Sequence, residues 1–306
     1  MIAQRLSASL AMTSRLRWEV DGQSWPHRKL SRFVHAGGLR WHVQQFGSQA
    51  LPAALLVHGT GASSHSWSTL APMLASRMHV IVLDLPGHGF TEAPASPAQY
   101  SLPGMSALLH ELVKSLNLDV RYGVGHSAGA AVLAWMCMEN YIQPRKLFGI
   151  NAALLPLGGI AGRVFSPMAK ALWATGAAPH VFAWRASNMS MVNRLLGTTG
   201  SNIDAQGQAL YAQLMRNPAH VGAALAMMAH WDLPMLASRL PELKTPLVQI
   251  VGMRDQTVSP GEAHRVRKLL PGAQIIALEG LGHLAHEERP DLVDQALQLD
   301  PLTSGT

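Results

Sequence analysis

Apolar residues along this chain fall into alternating rhythms. On either side of Gly37-Gly38, Phe33, Leu39, Trp41, Val43 and Phe46 favour extended backbone, and the glycine pair favours a tight turn, so a hairpin is predicted over residues 32–46. The next apolar segment, 53–57, is continuous, the pattern of a strand buried on both faces. It runs into His58-Gly59-Thr60-Gly61. A helix with Trp67, Leu70, Met73 and Leu74 on one face is expected next, then a second buried strand over 79–84 and the turn Pro86-Gly87-His88-Gly89. The alternation continues with helix 105–116, strand 120–124, helix 128–140 and strand 146–150. It resumes later with strand 246–251, helix 261–270, strand 273–278 and a last helix over 290–299. Strands separated by helices through short connections predict an α/β fold, a mostly parallel sheet with helices on both faces.

Between these two stretches the rhythm breaks. Residues 155–240 offer no good buried strand, carry eight charged side chains, and hold seven of the fifteen Met with Trp173, Trp184 and Trp231. They are read as a helical cap inserted into a core formed by 31–154 and 241–300, preceded by a basic arm over 1–30. In an architecture of this kind the insertion leaves after the strand near 150 and returns at the strand near 246, so it is expected to close an apolar cavity over the C-terminal edge of the sheet, lined by Met and Trp.

Composition narrows the function classes. With 306 residues, 48% hydrophobic and 14% charged, the chain can bury a large core and is too apolar for disorder. No apolar run approaches the ~18 residues that span a bilayer. The lone Cys137 excludes an intrachain disulfide and a cysteine metal cluster, and the N-terminus does not read as a secretory signal, because Ser7 and Ser9 interrupt its apolar stretch. A cytoplasmic setting is expected. The net charge of +6 is concentrated: residues 1–40 hold seven basic residues against Glu19 and Asp21. With no readable nucleic-acid motif on the folded part, a nucleic-acid partner is not expected, whereas peripheral contact of residues 1–40 with an anionic membrane is.

The sharpest chemical signal is Gly125-His126-Ser127-Ala128-Gly129, placed where an apolar strand ends and an apolar helix begins. A serine at such a turn sits on strained backbone with its hydroxyl projected above the sheet, and small residues at 125 and 129 allow strand and helix to approach. Ser127 is therefore the candidate nucleophile. It needs a base and an orienting acid, in the chain order Ser, Asp, His. Asp255 follows the strand ending at 251, and His283 follows the last strand in Gly280-Leu281-Gly282-His283; His286 competes with it. No acid follows the strand ending near 150, where Asn151 stands. The backbone N–H groups of Thr60 and Ala128 are the candidate oxyanion donors. Other patterns fail: Ser64 replaces the third glycine of a dinucleotide loop, and His110-Glu111 lacks the second histidine of a zinc helix. His58, His88 and His126 read as polar wall residues, and Met227-Met228 with Trp231 reads as helix packing before it reads as a ligand surface. No metal or organic cofactor is expected.

Taken in order, His58-Gly59, Asp84-Leu85-Pro86-Gly87-His88-Gly89, the serine pentapeptide, Asp255 and Gly282-His283 resemble the α/β-hydrolase superfamily over about residues 30–300. Within it, Trp25-Pro26-His27-Arg28, the segment 38–44, His58-Gly59-Thr60-Gly61-Ala62-Ser63 and the segment 84–91 resemble the BchO-type magnesium chelatase accessory proteins of bacteriochlorophyll biosynthesis. The resemblance implies a tetrapyrrole setting, a small apolar substrate of that class and contact with a chelatase subunit. The expected activity is hydrolysis of an ester-like bond in a bulky apolar substrate. Perhydrolysis and carbon–carbon bond hydrolysis use the same triad and stay open. The alternative is a non-enzymatic tetrapyrrole-binding or chelatase-assisting factor on a hydrolase scaffold.

Overall fold

The computed structural model describes residues 15–156 and 177–297. Among them eight strands form one sheet: β1 (Ser31–Ala36), β2 (Leu39–Phe46), β3 (Ala53–Val57), β4 (His79–Leu83), β5 (Val120–His126), β6 (Lys146–Ile150), β7 (Leu247–Gly252) and β8 (Gln274–Leu278), in the order β1-β2-β4-β3-β5-β6-β7-β8. β1 and β2 form the expected hairpin, Ala36 opposite Leu39 across two glycines at positive φ. β2 is antiparallel to β4, and every pair from β4 to β8 is parallel. β3 and β4 are buried at every position, as their uninterrupted apolar sequences demand. The strand order reverses between β3 and β5, so the crevice beyond their C-terminal ends is where such a sheet binds ligands.

The helices are α1 (Trp18–Asp21), α2 (Leu70–Leu74), α3 (Leu102–Ser115), α4 (Ala128–Met138), α5 (Ala178–Arg185), α6 (Met189–Gly197), α7 (Ala205–Met215), α8 (Pro218–His230), α9 (Leu233–Arg239), α10 (Gly261–Leu269), α11 (Ala285–Glu288) and α12 (Pro290–Ala296). Leu109 and Leu112 of α3 and Val132 and Leu133 of α4 belong to the apolar core on one face of the sheet. Trp67, Leu70, Leu74, Val293 and Leu297 belong to the core on the other face. A fully buried leucine contributes about 1.5–3 kcal/mol, so these two layers hold the sheet. Helices α5 to α9 all lie between β6 and β7, in the interval where the rhythm breaks. Among the described residues no helix is long and apolar enough to cross a membrane.

Some details depart from the expectations and others add to them. The helix after β3 is broken: Ser64–Trp67 form a 3-10 turn, α2 is only five residues long and Met73 is half-exposed. The serines there bond locally, Ser66 Oγ donating to the Ser63 carbonyl at 3.1 Å and Ser63 Oγ lying 2.7 Å from His65 Nδ1, which competes with helix. Residues 15–30 of the arm pack on the fold. Trp25 is buried, Trp18 packs on Phe33 and Phe90, and Arg15 donates to the Thr91 carbonyl at 2.8 Å. Trp184 faces outward at 75% exposure. Residues 285–288, between the last strand and the final helix, form α11. Residues 1–14 of the arm, 157–176 of the insertion with Met168 and Trp173, and the last residues expected in the final helix lie outside the described residues.

Asp84, at the end of β4, ties these layers together. Fully buried, its carboxylate accepts from the Ser64 N–H at 2.6 Å, the Phe90 N–H at 2.9 Å and His42 Nδ1 at 2.8 Å. Burial works against its charge, but His42 and these donors more than offset that, holding the carboxyl below the usual range. Its contribution is therefore in place above about pH 4 and is lost as pH falls below it. Asp84→Ala is expected to cost about 3–5 kcal/mol, because it strands buried donors and an imidazole; urea unfolding of the variant at neutral pH measures the loss.

Candidate active site

Glycines decide how close the central backbones come. A Cβ at Gly125 would collide with the Ala130 amide, and one at Gly129 with the Val57 carbonyl, so β3, β5 and α4 can meet only because both positions lack one. Ser127 sits at this junction with φ 48° and ψ −114°, a conformation costing about 1–3 kcal/mol for a residue with a side chain. Its own N–H is held by the Ile150 carbonyl at 2.9 Å. Gly59 packs against it: a Cβ there would lie 3.1 Å from Ser127 Cβ and 2.9 Å from His126 Nδ1.

The same backbone grip aims two N–H groups. The Gly59 carbonyl accepts from His58 Nδ1 at 2.7 Å and from the Ala62 N–H at 3.2 Å. Because C=O and N–H of one trans peptide point in opposite directions, the Thr60 N–H is turned away from those partners. Likewise the Ser127 carbonyl accepts from Ala130 and Ala153 at 3.2 and 3.1 Å, which turns the Ala128 N–H the other way. Among the described residues neither N–H has a backbone partner. The two N–H groups expected as oxyanion donors thus face away from the partners of their own carbonyls, on the turns next to Ser127.

Asp255 and His283 are brought together. His283 Nδ1 lies 2.7 Å from Asp255 Oδ2, and both residues are buried. The other carboxylate oxygen accepts from the Thr257 and Val258 N–H groups at 2.7 and 2.9 Å, so the acid cannot rotate away. With Nδ1–H donating to the carboxylate, Nε2 is the basic nitrogen. Among the described residues neither that Nε2 nor Ser127 Oγ is engaged in a hydrogen bond. The His283 carbonyl is anchored beside the serine turn, accepting from His126 Nε2 at 2.9 Å and Asn151 Nδ2 at 2.8 Å. His286 stands apart from Asp255, its ring against Trp67 and His126, and burial drives its pKa down to about 3.

Five further histidines near the serine turn are wall residues, kept neutral by burial. Burial lowers His58, His88 and His126, takes His65 to about 3, and takes His220 to about 4. His220, from α8, escaped the sequence reading. Its Nε2 donates to the Gly61 carbonyl at 3.0 Å and its Nδ1 accepts from the Gly89 N–H at 3.0 Å, joining the insertion to both glycine turns. Asn151 was also undervalued. At φ 45° it donates to the Gly282 and His283 carbonyls and accepts from the Gly252 N–H, linking the ends of β6 and β7 to the histidine loop. Its only sequence signal is an Asn, tolerant of positive φ, just past a buried strand.

Above the turn, Thr60 Oγ1 lies 3.5 Å from Met227 Sδ, and Met227 is fully buried in the core with Trp231 packed beside it. Packing accounts for this pair. The cavity expected over Ser127 falls partly on residues outside those described. A groove of about 890 Å³ lined by Arg32, His79 and Arg121 lies at the opposite edge of the sheet and holds none of the five site residues. Among the described residues no three His, Cys, Asp or Glu side chains form a metal-binding group.

Residues 54–296 match the sequence profile of the alpha/beta hydrolase family. The chain belongs to that family. It is 38% identical over 269 residues to the "Magnesium-chelatase 30 kDa subunit" of Rhodobacter capsulatus, covering 88% of this chain and 93% of that protein. The resemblance read from the motifs therefore holds across nearly the whole chain. A "2-hydroxy-6-oxo-6-phenylhexa-2,4-dienoate hydrolase" of Burkholderia cepacia is 26% identical, covering 83% of this chain and 88% of that one. Among solved structures, an alpha/beta hydrolase fold protein from Burkholderia ambifaria superposes with a TM-score of 0.74 at 21% identity, over 88% of this chain and 97% of that chain.

The histidine loop also carries a buried acid. Tyr211 Oη of α7 donates to Glu287 Oε1 at 2.7 Å, and burial pushes the Glu287 carboxyl up to about 8. Between about pH 4.5 and 8 the unfolded chain ionises this group while the folded chain keeps it protonated, so its presence erodes stability as pH rises through that window. Glu287→Gln should flatten the decline in Tm between pH 5 and 8 relative to wild type; parallel declines in the two proteins would contradict this.

Proposed function

We propose that this family member is a serine hydrolase acting on an ester-like bond. Ser127 Oγ attacks the carbonyl carbon while His283 Nε2 takes its proton. Asp255 holds the imidazole and stabilises the imidazolium that forms. The carbonyl oxygen, now negative, is received by the Thr60 and Ala128 N–H groups. Collapse expels the alcohol, protonated by His283, and water then cleaves the acyl-enzyme by the same steps in reverse roles. The observation that carries this reading is the buried Asp255–His283 hydrogen bond at 2.7 Å, beside a strained serine flanked by two unspent peptide N–H groups.

The substrate class follows from composition and kinship. A cap over 155–240 with eight charges suits a bulky apolar ester, and kinship to the Rhodobacter magnesium-chelatase subunit, together with the BchO-type motifs, supports a tetrapyrrole of bacteriochlorophyll synthesis. That kinship also favours a second reading, an accessory factor that binds a tetrapyrrole and touches a chelatase subunit without chemistry. A carrier has no use for an acid–base pair, which is why hydrolysis stands first.

A fluorophosphonate probe applied to native protein should label Ser127. Ser127→Ala should abolish labelling, and His283→Ala should slow it by about 10³-fold or more. Absence of labelling in native protein, with saturable porphyrin binding that survives Ser127→Ala, would favour the accessory factor instead.

A further inference from the structure

The carbonyl of His283 is held from the sheet by His126 and Asn151. Its N–H is held from the other side, by the insertion. The connection between α6 and α7 crosses both catalytic loops, and the Thr199 carbonyl accepts the N–H of His283 at 3.1 Å and the N–H of Gln256, next to Asp255, at 3.3 Å. Ser201 Oγ accepts from the Leu284 N–H at 2.7 Å. Glu288 completes the crossing, taking the Gly282 N–H at 2.8 Å on one oxygen and the Asn202 N–H at 3.0 Å on the other. Contact is as close as backbones allow: Gly200 is at φ +77°, a Cβ on it would collide with the Arg254 carbonyl, and a Cβ on Gly282 would collide with Gly200 itself.

We infer that Thr199–Asn202 is a positioning strap, which sets the separation and orientation of the Asp255–His283 pair from the insertion side. One carbonyl shared by the residue next to the acid and by the base itself ties the two loops to a common point, so neither can shift without the other being felt. The sheet-side anchors belong to strand ends, whereas the strap belongs to the helical insertion between β6 and β7. Positioning of the base is thereby linked to the seating of the insertion. This inference rests on the hydrolase reading for its catalytic meaning, though the grip on the two loops is independent of it.

Ser201→Ala removes the acceptor of the Leu284 N–H without altering any reacting group, and Ser201→Thr restores it. With p-nitrophenyl acetate, Ser201→Ala should lower kcat on the order of tenfold with KM within about twofold, since misplacing a reacting group by a fraction of an ångström to 1 Å costs up to ~10²-fold. Ser201→Thr should recover most of the loss. Amide hydrogen exchange at Gln256, His283 and Leu284 should accelerate at least tenfold in Ser201→Ala, and the downfield proton signal of the Asp255–His283 hydrogen bond should broaden. Gly200→Ala should do the same more strongly. Exchange and proton signal like those of wild type in both variants would overturn the inference. If the wild type neither turns over nor reacts with fluorophosphonate, the hydrolase reading fails, while the exchange and the proton signal still decide whether the strap holds the pair.

Discussion

The close approach of β3, β5 and α4 at the centre of the sheet is the constraint on which the rest of the site depends. Only glycine at 125 and 129 leaves room for it, and the strain at Ser127 is the consequence. That strain is sustained because the surrounding peptides are fully committed: Ile150 takes the Ser127 N–H, and Ala130 and Ala153 take its carbonyl. Fixing carbonyls fixes the opposite ends of their peptide units, so the Thr60 and Ala128 N–H groups are turned away from those partners without any side chain being spent on them. The polar features of the site follow from backbone bookkeeping in a tightly packed turn.

Around that turn lies a wall of imidazoles kept neutral by burial. His58, His126 and His220 each hold backbone groups, with one nitrogen donating to a carbonyl. Uncharged, they fix geometry without setting competing positive charge beside His283, the base of the proposed mechanism. Asp84 stands behind them as a buried carboxylate with three donors, joining the turn after β3 to the hairpin. Removing partners from such a network costs more than any one hydrogen bond contributes, because unpaired groups are left in a low-dielectric interior.

Much of this was legible in the sequence where the information is local. Uninterrupted apolar runs marked β3 and β4, a glycine pair marked the hairpin, and the serine pentapeptide marked the turn between β5 and α4. Asp255 and His283 were readable because chain order and strand ends place them. What stayed hidden is long-range and made by backbone. Thr199 acts through its carbonyl, Gly200 through the side chain it lacks, and Asn151 and His220 through partners more than a hundred positions away in sequence. Polar residues in an irregular segment look alike until the fold pairs them. Trp184 failed differently: on an eight-residue helix that buries Pro179 and Ala183, the small residues take the core side and the indole is turned out.

The central claim is that Ser127 becomes covalently acylated. Rapid quenching of the protein with excess p-nitrophenyl ester, followed by peptide mass mapping, tests it most directly. The account predicts a burst of nitrophenol close to one equivalent, with the acyl mass on the peptide containing Ser127. A linear release with no adduct, or an adduct on another residue, would contradict it.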